Sequence, residues 1–289
     1  MEKTLTFRKL CNITPNQDGA IFGDYLFRLG AVGDVRVYDM SKLISPDCHA
    51  EDECKLCQFT LDKADLIVPH SNAVSFGPYY FDEDDEFPLL YTNVYNNYAK
   101  CDDKKVGVTC VYRITRNGNK FSSALVQIIE IGFTDSNIWR SDNGATDVRP
   151  YGNFVVDRSS RLFFAFVMRD GNCDTTYFIF NLPKLSDGTM DETYGVRKVT
   201  LTKNDIIRSF IAPYHKFIQG ACCHDGLVYS VEGFDKNPSL RIIDMQKGEQ
   251  IAFYDFLALG IKNETELIDF YGDKCIYADA RGNIYEIIF

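Results

Sequence analysis

The sequence lacks any hydrophobic run long enough to cross a membrane. A spanning helix needs roughly 20 apolar residues, whereas the longest runs here are short, such as Leu162–Met168. The N-terminus, Met1–Leu10, alternates apolar and polar residues and lacks the continuous apolar stretch of a secretory signal. We therefore expect no membrane insertion and a cytoplasmic protein, the alternative being an exported protein whose signal is missing from this sequence.

Basic residues are scarce relative to acidic ones. The 289-residue chain has 31 Lys and Arg against 41 Asp and Glu, which gives a net charge of -10 and a pI near 4.9. Nucleic acids and anionic membranes both require a basic face. We therefore expect no nucleic-acid partner, and we expect a monomer.

Several enzyme motifs are also missing. The sequence contains no glycine-rich phosphate loop, no paired-histidine metalloprotease motif and no nucleophile elbow. Their absence excludes several common enzyme classes. We predict no catalytic residue, metal or cofactor, and whether the chain is an enzyme stays open.

Cysteine, by contrast, is frequent, with ten in the chain. Without a secretory signal, cysteines are expected to be free thiols that mostly behave as small buried hydrophobes. Cys48 and His49 precede Cys54 and Cys57, and the Cys-x-x-Cys pair resembles half of a zinc site. No second half is evident, so the alternatives are a structural zinc, a disulfide in an exported form, or an ordinary insertion loop, which we favour.

The main feature of the sequence is a repeated strand-turn-strand unit. Its clearest copy is Ile218–Gly233, in which the run His224-Asp225-Gly226 is typical of a tight hairpin turn, and a third strand follows at Ser239–Met245. Similar units begin near Asp18, His70, Gly152, Phe217 and Glu266. Spacings of about fifty to eighty residues are compatible with the blades of a propeller.

These repeats predict an all-β fold, a five-bladed β-propeller in a single domain spanning residues 1–289. The last repeat has only three strands, so Leu5–Leu10 is expected to supply its outer strand and close the ring. The alternatives are six blades, if Tyr91–Val106 contains a further unit, or two β-sandwich domains.

Local sequence patterns predict the structure of two further segments. Arg197–Leu201 is predicted to be the fourth strand of the third repeat. The only predicted helix is Thr202–Phe210, where Thr202 would cap the first turn and Asp205 stands three residues on.

The repeat pattern resembles the quinoprotein-like class of β-propellers, and Tyr38-Asp39-Met40 repeats the pattern of Ile243-Asp244-Met245. The dipeptides of WD40 repeats and the Gly-Gly of kelch repeats are absent, and Ser141–Thr146 departs in spacing from a sialidase Asp box. The resemblance therefore implies an architecture and no particular activity.

Propellers bind ligands at a mouth of the central channel, so polar residues around the repeat starts are the candidate site. These residues are Asp18, His70, Asn72, Arg149, His215, Gln219 and Glu266. Together they could bind a small polar or acidic ligand, or a protein partner, with Arg149 making bidentate contacts. The simpler interpretation is that they are hydrogen-bonded channel residues. His224 is set aside because it lies in a hairpin turn at the far end of its strand.

Two further interpretations involve carboxylates. A carbohydrate-active hydrolase could use Asp18 and Glu266 as its acid and its nucleophile or base, although two carboxylates among 41 acidic residues are no signature. The acidic run Asp82–Glu86 could attract Ca²⁺, but it is more typical of a solvated hairpin tip.

Overall fold

The computed structural model describes residues 5–94, 107–131, 150–167, 173–214, 218–233 and 237–289. Five β-sheets, the blades, each begin with an inner strand, and each inner strand contacts the next one around the ring. This arrangement is the predicted five-bladed β-propeller, so the six-bladed and sandwich alternatives are wrong.

Blade 1 carries short helical insertions around its outer strand. Its strands, from the inside outward, are β2 (Gly19–Phe22), β3 (Tyr25–Leu29), β4 (Asp34–Asp39) and β5 (Lys55–Thr60). Between β4 and β5 lie α1 (Met40–Leu43) and α2 (Glu51–Cys54), and α3 (Ala64–Ile67) follows β5. Asp39 caps α1 by accepting a hydrogen bond from the Lys42 backbone N–H, which explains why the chain turns into a helix there.

Blade 2 is the largest sheet. Its four antiparallel strands are β6 (Val74–Phe76), β7 (Leu90–Val94), β8 (Val108–Asn117) and β9 (Lys120–Ile131). Two later strands, β13 (Thr189–Asp191) and β14 (Val196–Leu201), extend this sheet, because β14 pairs with β9 in parallel. The segment 196–201 is therefore a strand as predicted, but it belongs to blade 2 and its assignment to the third repeat is wrong.

Blade 3 is completed by a strand where we predicted a helix. It consists of β10 (Pro150–Asp157), β11 (Leu162–Val167), β12 (Cys173–Asn181) and β15 (Ile206–Tyr214). Thr202 and Asp205 do form the predicted capping box, but they cap a single 3₁₀ turn, Lys203–Asp205. The predicted helix is wrong beyond that turn because β15 pairs with β12 along its length.

Blades 4 and 5 follow the predicted pattern. Blade 4 contains β16 (Ile218–His224), β17 (Leu227–Glu232), β18 (Ser239–Asp244) and β19 (Glu249–Asp255). Its first hairpin turns at Asp225 and Gly226, which both have positive φ, as the His-Asp-Gly run predicted. Blade 5 contains β20 (Thr265–Tyr271), β21 (Lys274–Asp279), β22 (Asn283–Ile288) and β1 (Thr6–Asn12). Strand β1 pairs antiparallel with β22, which confirms closure by the N-terminal strand.

The hydrophobic core lies between neighbouring blades. Among the described residues it divides into five clusters, one for each contact between adjacent blades. Between blades 1 and 2, for example, the rings of Phe27 and Phe76 meet edge to face with their centroids 5.3 Å apart. Aromatic side chains suit this position because one ring can fill the space between two twisted sheets.

No helix among the described residues is long and apolar enough to cross a membrane.

Candidate functional site

The five inner strands run in the same direction, so the channel has two distinct mouths. At their first residues, the Asp18 backbone N–H donates to the Ser71 carbonyl across blades 1 and 2 (3.1 Å). At their last residues, the guanidinium of Arg158, from blade 3, reaches the carbonyl groups of Phe76 and Ile21. We call these the strand-start mouth and the strand-end mouth.

Polar contacts join neighbouring blades at the strand-start mouth. Asp18 is fully buried, and its Oδ2 accepts a hydrogen bond from the Val74 backbone N–H (2.9 Å). The side-chain Nδ2 of Asn72 donates to the Ile218 carbonyl in blade 4 (3.5 Å). A Cβ at Gly220 would lie 3.0 Å from Asp18 Oδ1, so the backbone of blade 4 approaches this carboxyl as closely as glycine allows.

Behind this mouth lies a buried cluster of ionisable groups. Burial raises the pKa of both Asp18 and Glu266 well above the usual range, and the nearby charge of Arg28 partly opposes the shift. Arg28 is also fully buried and donates from Nη2 to the Asn16 carbonyl (2.6 Å). Asp18 Oδ1 and Glu266 Oε2 have no hydrogen-bond partner among the described residues. The cluster places Asp18 and Arg28 of blade 1 beside Glu266 of blade 5.

The remaining predicted residues of this mouth lie around the cluster. Gln219 is buried and donates from Nε2 to Glu264 Oε1. His70 is half-buried, and burial lowers its pKa to about 4, so its imidazole is neutral near pH 7. Asp18, Asn72, Gln219 and Glu266 thus lie at the strand-start mouth. Arg149 and His215 lie outside the described residues.

The strand-end mouth opens into a cavity of about 200 Å³. All five inner strands contribute to its wall, so the cavity lies on the axis of the ring. Its lining residues are Ile21, Ser75, Phe76, Val156, Asp157, Arg158, Ser159, Cys222, Cys223, His224, Asp225, Asp269 and Phe270.

Arg158 is the main cationic group of this cavity. It follows β10 directly, and its Nε donates to the Phe76 carbonyl (2.9 Å) while Nη2 donates to the Ile21 carbonyl (3.0 Å). The guanidinium also lies over the rings of Phe22 and Phe76, at 5.3 and 5.8 Å from their centroids. These contacts fix the orientation of a side chain that is otherwise exposed.

His224 lies at the same mouth, at the end of β16. Its imidazole stacks on the Phe270 ring of blade 5, with the centroids 3.8 Å apart and the planes nearly parallel. Its Nε2 lies 3.7 Å from Asp225 Oδ2. The stacked rings of His224 and Phe270 form a flat, partly apolar surface with the imidazole nitrogens at its edge.

Two carboxylates in the cavity wall accept hydrogen bonds from the protein and so stabilise the fold. Asp269 accepts backbone hydrogen bonds from Ile21 (2.6 Å) and Phe270 (2.8 Å), one at each carboxylate oxygen. Burial raises the pKa of Asp269, and the charge of Arg158 partly offsets this. Asp157 accepts from the backbone and hydroxyl groups of Ser159 and Ser160 in its own turn. Burial opposes ionisation of Asp157, yet these hydrogen bonds lower its pKa.

The cysteines of this wall are not activated nucleophiles. Cys222 is buried and Cys223 half-buried. Burial raises the pKa of both thiols above the ordinary range, because it disfavours the thiolate.

Comparison with known proteins identifies the fold and leaves the activity open. No known family profile matches the sequence, and no curated protein matches it either. The chain has a β-propeller fold, and solved propeller structures align with it along almost its whole length. The glutaminyl cyclase of Myxococcus xanthus, 9% identical, aligns over 98% of this chain and 96% of its own, with a TM-score of 0.50. The PQQ-bound aldose sugar dehydrogenase of Streptomyces coelicolor, 11% identical, aligns over 98% of both chains, also with a TM-score of 0.50.

Other predicted features of this propeller lie away from both mouths. The backbone N–H of Asp82 donates to Asp85, whose carboxylate is held by the guanidinium of Arg113, and Glu86 is held by Arg116. The acidic run thus forms a tip fastened by arginines. Cys48 and Cys54 approach each other, but Cys57 lies on β5 and is not part of their cluster.

Sequence reasoning missed Arg158 and Asp269 and set His224 aside. The signal for Arg158 is present in the sequence, because the polar run Asp157-Arg-Ser-Ser160 directly follows the apolar run Phe154–Val156. Inspecting the last residue of each inner strand, as well as the first, would have found both Arg158 and His224. Asp269 carried no such signal, because it differs from other strand carboxylates only through its contact with Ile21 in another blade.

Proposed function

We propose that the protein is a binding propeller that takes a small acidic ligand at the strand-end mouth, where Arg158 and His224 contact it. The observation that carries this proposal is the position of Arg158 on the wall of an axial cavity to which all five inner strands contribute. A cationic group fixed at such a convergence point is typical of an anion-binding site.

The hydrogen bonds of the wall favour an anion over a cation as the ligand. Arg158 uses Nε and Nη2 to hold blades 1 and 2, and its Nη1 has no protein partner within the described parts of the chain. Asp157 and Asp269, in contrast, already accept hydrogen bonds from the protein at both carboxylate oxygens. Arg158 thus keeps a donor for a ligand, whereas Asp157 and Asp269 are already engaged. The third carboxylate of the wall, Asp225, lies 3.7 Å from His224 Nε2.

The size of the cavity limits the ligand to a small molecule. A water molecule occupies about 30 Å³ of liquid, so about 200 Å³ holds the equivalent of six or seven waters. Pockets for drug-sized ligands are larger, at roughly 300 to 1,000 Å³. A small hydroxy acid fits this volume, with its carboxylate toward Arg158 and its carbon skeleton against the stacked rings of His224 and Phe270.

The hydrolase alternative has weaker support. Asp18 and Glu266 are 0% and 5% exposed, and a glycan would have to reach both of them. The fold does not help to choose, because one neighbour is a cyclase and the other a dehydrogenase. Ligand binding by Asp18, His70, Asn72, Arg149, His215, Gln219 and Glu266 stays a prediction, as does a protein partner at the channel mouth.

Calorimetric titration of the full chain tests the proposal. The probes are lactate, malate and inorganic phosphate, with glucose as the neutral comparison. We expect saturable binding of at least one acidic probe and none of glucose. Arg158→Gln should weaken this binding about ten- to hundredfold, because a hydrogen bond to a charged group contributes about 1.5–3 kcal/mol.

Matched variants separate a binding role from a folding role. Arg161→Gln changes an arginine of the same hairpin that does not line the cavity, so it should leave binding unchanged. His224→Phe keeps the ring stack on Phe270 but removes the polar nitrogens, and should weaken binding without unfolding the protein. If Arg158→Gln binds the acidic probe as tightly as the unmodified chain, or if no acidic probe binds, the proposal is wrong.

A further inference from the structure

Three buried thiols converge at a point far from the channel. The Sγ atoms of Cys11, Cys48 and Cys54 all lie within 4.8 Å of one another, and those of Cys11 and Cys48 are 3.2 Å apart. They come from separate segments, since Cys11 lies on β1, Cys48 precedes α2 and Cys54 ends α2. Single buried cysteines commonly behave as small hydrophobes, but three sulfurs aimed at one point form a ligand set.

Backbone carbonyl groups orient all three sulfurs, and Cys11 Sγ lies 3.6 Å from the Asn12 carbonyl oxygen. Cys48 Sγ lies 3.8 Å from the Ala50 carbonyl oxygen, and Cys54 Sγ lies 3.4 Å from that of Glu51. The Glu51 carboxylate in turn accepts hydrogen bonds from the Thr14 backbone N–H (3.1 Å) and the Tyr38 hydroxyl (2.8 Å). The insertion that carries Cys48 and Cys54 is thus fastened to the chain just after Cys11, which keeps the three sulfurs together.

We propose that Cys11, Cys48 and Cys54 form a binding site for a thiophilic d¹⁰ cation such as Zn²⁺. Thiolate ligands select Zn²⁺ and Cu(I) over Mg²⁺ and Ca²⁺, which prefer oxygen. Each Sγ–H loses its proton to solvent as a sulfur–metal bond forms, and no group is oxidised or reduced. Three protein sulfurs leave one position of a tetrahedral zinc for a ligand from solvent.

The location of the site suggests what the cation does. Cys11 lies on the outer strand of blade 5, whereas Cys48 and Cys54 lie on the insertion of blade 1. A shared cation therefore links the first and last blades at the point where the ring closes. Binding must displace the thiol protons, as it does when zinc assembles thiolate sites.

A disulfide explains the cluster less well. Cys11 and Cys48 could pair, but this would leave Cys54 without a role and would require an oxidant. A single cation uses all three sulfurs.

Metal titration of the reduced, metal-free full chain tests the site. We expect one Zn²⁺ per chain in competition with a chromogenic chelator, and one Cd²⁺ per chain with the ultraviolet charge-transfer absorption of cadmium–thiolate bonds. Cys11→Ser, Cys48→Ser and Cys54→Ser should each weaken binding at least about tenfold, a loss that even supporting groups of metal sites produce. Cys57→Ser is the matched control and should bind normally, because Cys57 is outside the cluster.

A second measurement covers variants that fail to fold. Zn²⁺ should raise the melting temperature of the unmodified chain and of Cys57→Ser, because a ligand stabilises the state that binds it. It should also slow alkylation of Cys11, Cys48 and Cys54 in the unmodified chain relative to Cys57. No uptake by the reduced chain, or equal loss of binding in Cys57→Ser, would overturn the proposal, and a Cys11–Cys48 disulfide together with no uptake would assign the pair to redox chemistry.

Discussion

Glu232 and Arg241 form a buried ion pair within blade 4. Their side chains are 0% and 5% exposed, and Arg241 Nε lies 3.0 Å from Glu232 Oε1. Arg241 also donates to Gln250 and lies over the Phe253 ring, 4.9 Å from its centroid. A buried pair of this kind stabilises little compared with apolar residues of similar size, but removal of one partner leaves an uncompensated charge.

Arg241→Met should therefore destabilise the protein strongly. We expect a loss of about 3 to 5 kcal/mol in the free energy of unfolding, measured by urea titration. The double variant Glu232→Leu with Arg241→Met should recover most of this loss, because no charge then stays buried. Arg116→Ala, which breaks an exposed pair with Glu86, should shift the urea midpoint little. A double variant no more stable than Arg241→Met alone would contradict this explanation.

Asp18 should make stability depend on pH in a direction opposite to that of a salt-bridged carboxylate. Burial raises its pKa in the folded state well above the usual range, whereas the unfolded value is about 3.9. Well below pH 4 both states are protonated, and the group does not affect stability. As the pH rises toward 7 the unfolded state ionises first, so stability is lost by up to about 1.4 kcal/mol per pH unit.

Comparison with Asp18→Asn isolates this effect. The amide cannot ionise, so the stability of the unmodified chain relative to Asp18→Asn should fall between pH 4 and pH 7 in urea titrations. A relative stability that rises with pH would show that Arg28 holds Asp18 ionised.

The N-terminal strand is the element on which closure of the ring depends. Phe7 of β1 packs edge to face against Phe256 and Tyr277, with centroids 4.9 and 5.8 Å apart. Without β1, strand β22 would expose a free edge and this aromatic contact would be lost. Exposed edges of that kind promote association between chains.

Deletion of residues 1–12 should lower the melting temperature and cause association that depends on protein concentration. A synthetic peptide of residues 1–12 should restore the melting temperature, because a strand added in trans can pair with the free edge. A peptide with Leu5 and Phe7 replaced by serine should not. Circular dichroism and light scattering measure both effects, and a truncated chain that melts like the full chain would show that β1 does not close the ring.

One predicted element, the helix Thr202–Phe210, is wrong beyond its first turn, and the reason is its partner strand. Thr202 and Asp205 gave a correct signal for a capped turn, but Ile206–Tyr214 became a strand. Its Phe210 stacks on Tyr177 of β12, with centroids 5.2 Å apart and nearly parallel rings, while Ile207 and Ile211 face outward. The partner strand decides between the two structures, and pairing between segments about 30 residues apart cannot be read from the local pattern.

At the scale of the molecule, repetition made the blade number and the closing strand predictable. Each repeat carries its own turn signals, such as Asp225-Gly226, so the local sequence is enough to predict the number of blades. The channel was less predictable. Which residues flank an inner strand can be read from the sequence, as for Asp18 and Glu266. Which of them contact each other depends on the packing of the blades, as for Asn72 with Ile218. Convergence of Arg158 and His224 on one cavity is a property of the whole ring.

We expect the net charge and the outer edges of the blades to control association between chains. Strand β19 forms an outer edge and exposes Ile251 and Phe253, which favours pairing with another chain. At pH 7 the charge of -10 opposes that pairing, and this repulsion is screened over about 8 Å at physiological ionic strength. We therefore expect a monomer at pH 7 in low salt, and self-association as the pH approaches the pI near 4.9.

Sedimentation velocity across this pH range measures the effect. Ile251→Lys should reduce self-association because it places a charge on the edge itself. Val32→Lys adds the same charge at an exposed loop position in blade 1, so it controls for the change in net charge. If the edge of β19 is the contact, Ile251→Lys should suppress association more than Val32→Lys at every pH. Equal suppression would mean that net charge alone controls association, and a dimer at pH 7 in low salt would mean that repulsion does not keep the chains apart.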